Sequence, residues 1–353
     1  CPVLDRWGHR PDAARAGCSN LLNGLACGPD RLVAVGNAGT IVWSPDATNW
    51  VAAVSPTNAT LNAVIWGAGQ FVAVGNGGVI LTSDDAQHWT QQSSGTNRAL
   101  RGVAYGADTF VAVGDNGVTL TSPDAVTWTM HSTGTNRALI GVTFVNGHFL
   151  SAGAGGLIYT SADGAAWTVT YSGQNLSLRS ADYGRGRYVV VGNGGVILHS
   201  TNAVDWTSAP SPTGDLLDGV TYARGEFVAV GFGGAILSSP DGLTWLVRAS
   251  PTTLDLMEVS PCGDTFVAVG DQAVVLQTGF HGPPRLAGAM RSGGLELRLA
   301  GEIAAHCRIQ TTTDLAAGPW DDWRRFTNAL PLTILWDANT TNAARRFYRA
   351  VSP

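Results

Sequence analysis

The sequence predicts an all-β repeat fold, and three observations predict it. A Val-Gly or Ala-Gly pair ends at Gly36, Gly75, Gly114, Gly153, Gly192, Gly231 and Gly270, each 39 residues after the last without insertion or deletion. Trp50, Trp89, Trp128, Trp167, Trp206 and Trp245 keep the same step. Between these markers lie only short runs rich in Val, Ile, Thr and aromatics, and none sustains a helical period of 3.6. A fixed period near 40 residues marks a repeat architecture. Four strands per unit make it a β-propeller blade, whose radial closure hides most sheet edges. Seven glycine pairs predict seven blades.

Residues 1–21 precede the first full copy and carry Trp7. Within a copy, LNAVIWG, QFVAVG, GVILTS and HWTQQSS are the four strands, separated by Gly, Asn, Asp and Ser at turn positions. The turn after the second strand reads GNGG, GDNG, GAGG or GFGG, glycines that supply the positive φ a tight turn requires. The seventh copy, LMEVSPCGDTFVAVGDQAVVLQT, leaves the pattern at Gly279 and lacks a Trp-bearing fourth strand. Trp7 falls where such a strand would supply one, so the N-terminal segment is expected to close the last blade. HGPPRL then reads as a linker. GLELRLAG, HCRIQTTTDL, DDWRRF, LTILWDA and RRFYRAV alternate apolar and polar positions, as the strands of a small β-sandwich would. The expected division is residues 1–280 as propeller and 281–353 as C-terminal module.

There are five cysteines. Cys27 and Cys262 end the first strand of the first and seventh copies, neighbours across the closure seam, and a disulfide there would latch the ring. Cys1 is expected to pair with Cys18, with lipid anchoring of Cys1 as the alternative and Pro2 favouring the disulfide. Cys307 has no evident partner. No CxxC pair or Cys/His cluster has metal spacing, so neither zinc nor any other cofactor is expected.

All 21 basic residues are arginine, set against 22 Asp and four Glu for a net charge of -5. That balance gives no footprint for nucleic acid, and without lysine there is neither Schiff-base chemistry nor a Walker-type loop. No run is long and apolar enough to span a membrane as a helix. A secreted or cell-surface protein is expected.

SPDATNW, SDDAQHW, SADGAAW and SPDGLTW resemble the Asp-box, or bacterial neuraminidase repeat, one residue shorter than its usual spacing. The wider unit FVAVGNGGVILTSDDAQHW resembles the propellers of photosystem II assembly and stability factors and of secreted bacterial proteins, over residues 22–278. That resemblance implies that Asp46, Asp124, Asp163 and Asp241 bind backbone in their turns and that the Trp packs between sheets; Asn202 replaces Asp in the fifth copy. CRIQTTTDL, Trp323 and RRFYRAV resemble fibronectin- or immunoglobulin-like modules of secreted bacterial proteins.

Three functional readings follow. The leading one is a non-catalytic recognition scaffold for a protein or glycan partner. The linkers after the fourth strands and the second hairpins share one face, so Asn62, Asn97, Arg98, Arg101, Asn136, Arg137 and Arg179 are expected to crowd together there, beside Asn76 and Asp115. Arginine forks and amides suit acidic or hydroxylated groups. The second reading is a self-assembling subunit of a surface structure or filament. The third is an Asp-box glycoside hydrolase with Arg101 and Arg179, at equivalent first-strand positions, near Asp182, Asp218 and Glu258, disfavoured because no insertion interrupts the repeat to build a catalytic pocket. Apart from that use, those carboxylates are expected to be solvated or ring-mouth residues.

Overall fold

The computed structural model describes residues 7–9, 19–171 and 175–278, together with the backbone of six strands between 285 and 351. Seven four-stranded sheets form the ring. In six of them the strands pair in chain order; blade 2, for example, runs Leu61–Gly67, Gln70–Gly75, Ile80–Ser83 and Thr90–Gln92. In blade 7, Trp7–His9 lies outside Val275–Thr278, which is followed inward by Thr265–Gly270 and Leu256–Cys262. The N-terminal strand thus closes the ring. One compact unit comprises Trp7–Cys262 and Phe266–Gln277. Apart from it, the C-terminal strands form two three-stranded sheets, one of Arg285–Arg291, Gly294–Ala300 and Leu332–Asp337, the other of Asp321–Thr327, His306–Thr312 and Phe347–Val351.

The repeated FVAVG strand is the core of each blade. Phe71, Phe110, Phe149, Phe227 and Phe266 are fully buried. Phe71, Phe110, Phe149 and Phe227 each meet a first-strand ring (Trp66, Tyr105, Phe144 or Tyr222) at 4.5–4.8 Å between centroids, in the tilted geometries aromatic pairs prefer. The Asp-bearing turn is held by its own side chain. Asp46 Oδ1 accepts N–H groups of Thr48 and Asn49 at 2.8 and 2.9 Å, and the Ser44 hydroxyl donates to it at 3.1 Å. Asp124, Asp163 and Asp241 repeat the arrangement, and Asn202 reproduces it with an amide oxygen. The Trp50 indole then donates to Ala47 O at 3.1 Å while its ring is buried.

Glycine fills the second of the two left-handed positions of the second hairpin in six blades, and Ala273 (φ 55°) takes it in the seventh. The first also admits Ala38, Asn116 and Gln272, at φ 53, 57 and 51°. At the second, a Cβ on Gly78 (φ 73°) would collide with Thr96 O of the following linker. The linkers are therefore docked on the hairpins. Two linkers also hold their own turns with a Thr, Thr96 Oγ1 accepting Arg98 N at 3.2 Å and Thr135 Oγ1 accepting Arg137 N at 3.1 Å.

Cys27 and Cys262 are paired across the seam between blades 1 and 7, with Cα atoms 5.6 Å apart, within the range a disulfide spans. Cys1 and Cys18 lie outside the described residues, as does the side chain of Cys307.

Candidate functional site at the centre of the ring

The first strands surround a lumen of about 450 Å³. In six blades the pairing of first and second strands slips by one residue directly after the leading Leu, as between Leu61 and Ala63 or Leu178 and Ser180. The extra residue of such a bulge is unpaired, and the bend re-aims its side chain. Asn23, Asn62, Arg101, Ile140, Arg179 and Asp218 are these residues, and all but Ile140 carry a polar or charged head. Small residues follow them because the strands converge: a Cβ on Gly141 would collide with Arg179 O of the next blade.

The bulge residues form an ordered arc. Asn23 Nδ2 donates to Leu61 O at 2.8 Å and Asn62 Nδ2 to Leu100 O at 2.7 Å, stitching blade 1 to 2 and 2 to 3. The heads of Asn23, Asn62, Arg101 and Arg179 each also meet the hairpin residue fourteen positions on. Arg101 makes a bidentate pair with Asp115 at 2.6 and 3.1 Å, and Arg179 Nε donates to Asn193 Oδ1 at 3.1 Å. The side chains of Arg101 and Arg179 stay 41% and 31% exposed, so both guanidinium groups keep an open side.

Beside Arg179 the lumen is acidic. Asp218 lies 3.6 Å from Arg179 with its side chain 13% exposed. Burial pushes its carboxyl up to about 6, with Arg179 opposing and Asp255 adding to the rise. Glu258 goes up to about 8 through burial, against the Val259 N–H it accepts at 3.0 Å, and Asp218 and Asp182 raise it further. Asp182 is also raised by burial, but it has structural work. It accepts Tyr222 N at 2.7 Å, Tyr183 N at 2.7 Å and the Thr221 hydroxyl at 3.1 Å, joining blades 5 and 6. Of the two expectations for these acids, solvated or at the ring mouth, the structure places them in the lumen, recessed where the surrounding strands strip water from the charged form. Along its strand Asp182 lies three residues, about 10 Å, beyond the bulge layer.

The expected crowding of seven binding residues is also corrected. Asn62, Arg101 and Arg179 line the lumen. Asn97 and Arg98 instead line a separate groove of about 810 Å³ between blades 2 and 3. Asn136 and Arg137 are exposed on the next linker, Arg137 over Gly155 of the blade 4 hairpin. Because each linker lies against its own hairpin, Thr96 O by Gly78 and Thr135 by Gly117, these outer residues stay one blade apart. The bulge was the determinant missed in the sequence; its signal is the polar residue after each leading Leu. Among the described residues no group of three or more His, Cys, Asp or Glu is arranged to hold a metal ion, and no helix is long and apolar enough to cross a membrane.

Strand count, radial order and closure define the class, a seven-bladed β-propeller. Among solved structures, YCF48 bound to D1 peptide is similar, with a TM-score of 0.64 and 17% identity over 77% of this chain and 96% of that one. YCF48 from Cyanidioschyzon merolae gives a TM-score of 0.62 and 16% identity over 77% and 98%. A catalytically inactive virginiamycin B lyase from Staphylococcus aureus, with quinupristin, gives 0.69 and 10% over 77% and 98%. At such identities the likeness is one of fold. No protein-family model and no curated protein matches the chain.

Proposed function

We propose that this chain is a non-catalytic, extracytoplasmic recognition scaffold whose central mouth takes a segment of a partner protein. The observation that carries the reading is the bulge layer, a rigid arc of Asn23, Asn62, Arg101 and Arg179 with two guanidinium groups open to the lumen. Preorganised side chains bind at a smaller entropic cost than mobile ones, and an arginine fork suits carboxylates and peptide carbonyls. A similar fold has been solved with a peptide bound, which supports a protein partner over a glycan. The Asp-box and immunoglobulin-like resemblances and the seam disulfide suit an oxidising compartment, and residues 281–353 would serve attachment or assembly.

The test is a peptide array read with the full chain and with Arg101→Gln/Arg179→Gln. Binders should be enriched in Asp and Glu and weaken about tenfold or more in the double variant, with circular dichroism unchanged. Undiminished binding by the variant would overturn the reading, and recovery of Cys27 and Cys262 as free thiols from a native alkylated sample would remove its extracytoplasmic part. One observation favours hydrolysis instead. Asp218 and Glu258 have carboxyl groups pushed to different values, as an acid and base pair would need. Turnover on a glycan panel, abolished by Asp218→Asn or Glu258→Gln, would establish that alternative.

A further inference from the structure

The groove between blades 2 and 3 is a second concave surface, distinct from the lumen. One wall is Thr90–Gln92, the outermost strand of blade 2; the other is Thr129–Ser132, the outermost strand of blade 3. Each is hydrogen-bonded on one side only, since both end their sheets. The outer strand of blade 3 has four residues, against two in blades 1, 5 and 6. Between blades 1 and 2 the chain covers part of the corresponding gap itself, because Val54 makes a parallel bridge to His88. Ser93 and Thr127, the equivalent residues one blade on, make no such bridge, and the groove stays open.

Its chemistry is specific. In a chain of net charge -5, no Asp or Glu lines this groove. Among the described residues Arg98 reaches into it with no carboxylate partner, its guanidinium donating to Asn116 O at 3.3 Å. Gln91 and Asn97 present amides, each both donor and acceptor, and Met130 lies 57% exposed on the groove wall. An unpaired strand edge, amides that match a peptide backbone and one unneutralised guanidinium call for an extended chain carrying acidic side chains. Backbone pairing would supply affinity and the alternate side chains would supply specificity.

We propose that this groove docks an extended acidic segment of a partner protein, added as a strand along Thr129–Ser132 with a carboxylate on Arg98. This rests on the reading of the propeller as a protein-recognition scaffold and adds a site that the central mouth does not include.

The probes are fluorescent octapeptides of alternating Thr and Glu, Thr and Gln, or Thr and Lys, a Thr-Glu peptide N-methylated at alternate residues, and a labelled neutral oligosaccharide. Fluorescence anisotropy with the full chain reads each. The Thr-Glu peptide should bind more tightly than the Thr-Lys peptide. Arg98→Gln should weaken it about fivefold, the upper end for an exposed charge pair, and N-methylation should abolish binding because the ladder cannot form. Equal binding of the N-methylated peptide overturns strand addition. Loss of binding in Arg179→Gln with none in Arg98→Gln places the peptide in the lumen, which overturns the groove and leaves the scaffold reading standing. No peptide binding by any form, or binding of the oligosaccharide alone, overturns both.

Discussion

Thr119 stands where Ile41, Ile80, Ile158, Ile197 and Ile236 stand in other blades, and it is fully buried. Its hydroxyl has no hydrogen-bond partner. A buried donor left unpaired carries its desolvation penalty without return, and valine keeps the shape while removing it. Thr119→Val should therefore raise unfolding free energy by about 1 kcal/mol, read as a higher denaturant midpoint at unchanged slope. An unchanged or lower midpoint would show that the hydroxyl is satisfied. Elsewhere single residues are confined by what they would strike: at Gly78 a Cβ meets Thr96 O, so an alanine there would push the linker off its hairpin.

At the scale of one element, the Asp-bearing turn is an electrostatic device as well as a cap. The N–H of Ala166, then that of Ala165, holds the Asp163 carboxyl below the usual range, with burial opposing. A depressed carboxyl contributes stability that is present above its unfolded value near 4 and is lost as the pH falls through the lower folded value. Asn202 performs the same task in blade 5 without a charge. Asp163→Asn should accordingly be near neutral at pH 7 and should lessen the loss of stability below pH 4. Asp163→Ala should cost about 1 kcal/mol by analogy with loss of a helix cap. Thermal melts from pH 2 to 7 would show this; an Asn variant as acid-sensitive as the parent would refute it.

At the scale of the whole molecule, the acidic side of the lumen titrates in the opposite sense. Glu258 near 8 and Asp218 near 6 hold protons in the fold that the unfolded chain has already lost above about pH 4 to 5. Their contribution is thus complete below that pH and declines as the pH rises through 6 and then 8. Glu258→Gln removes the larger share. The variant should melt close to the parent at pH 4.5 and above it at pH 8, by up to a few kcal/mol equivalent. Parallel melting curves for the two proteins across that range would show that Glu258 does not change its ionisation on unfolding.

The sequence by itself determined the repeat, the number of blades and the closure by the N-terminal strand, because hydrophobic alternation, turn glycines and a missing Trp are local signals repeated at fixed phase. The placement of Cys27 and Cys262 could be read the same way, from their equivalent positions in copies that the ring makes neighbours. The lumen could be read only in part: equivalent first-strand positions group Arg101 and Arg179 with Asp182, Asp218 and Glu258, which all line it, but do not show how they are turned inward. Asn62, Arg101 and Arg179 converge because a one-residue bulge turns each inward, and a bulge is a property of pairing between strands that no single strand displays. Asp182 looks like any strand aspartate until the next blade brings Tyr222 N and Thr221 Oγ1 to it. Arg98 and Arg101, three residues apart in the chain, end in different cavities. The linker holding Arg98 lies on its hairpin where Thr96 O approaches Gly78, whereas Arg101 rides the bulge, and only the assembled ring decides which space each enters.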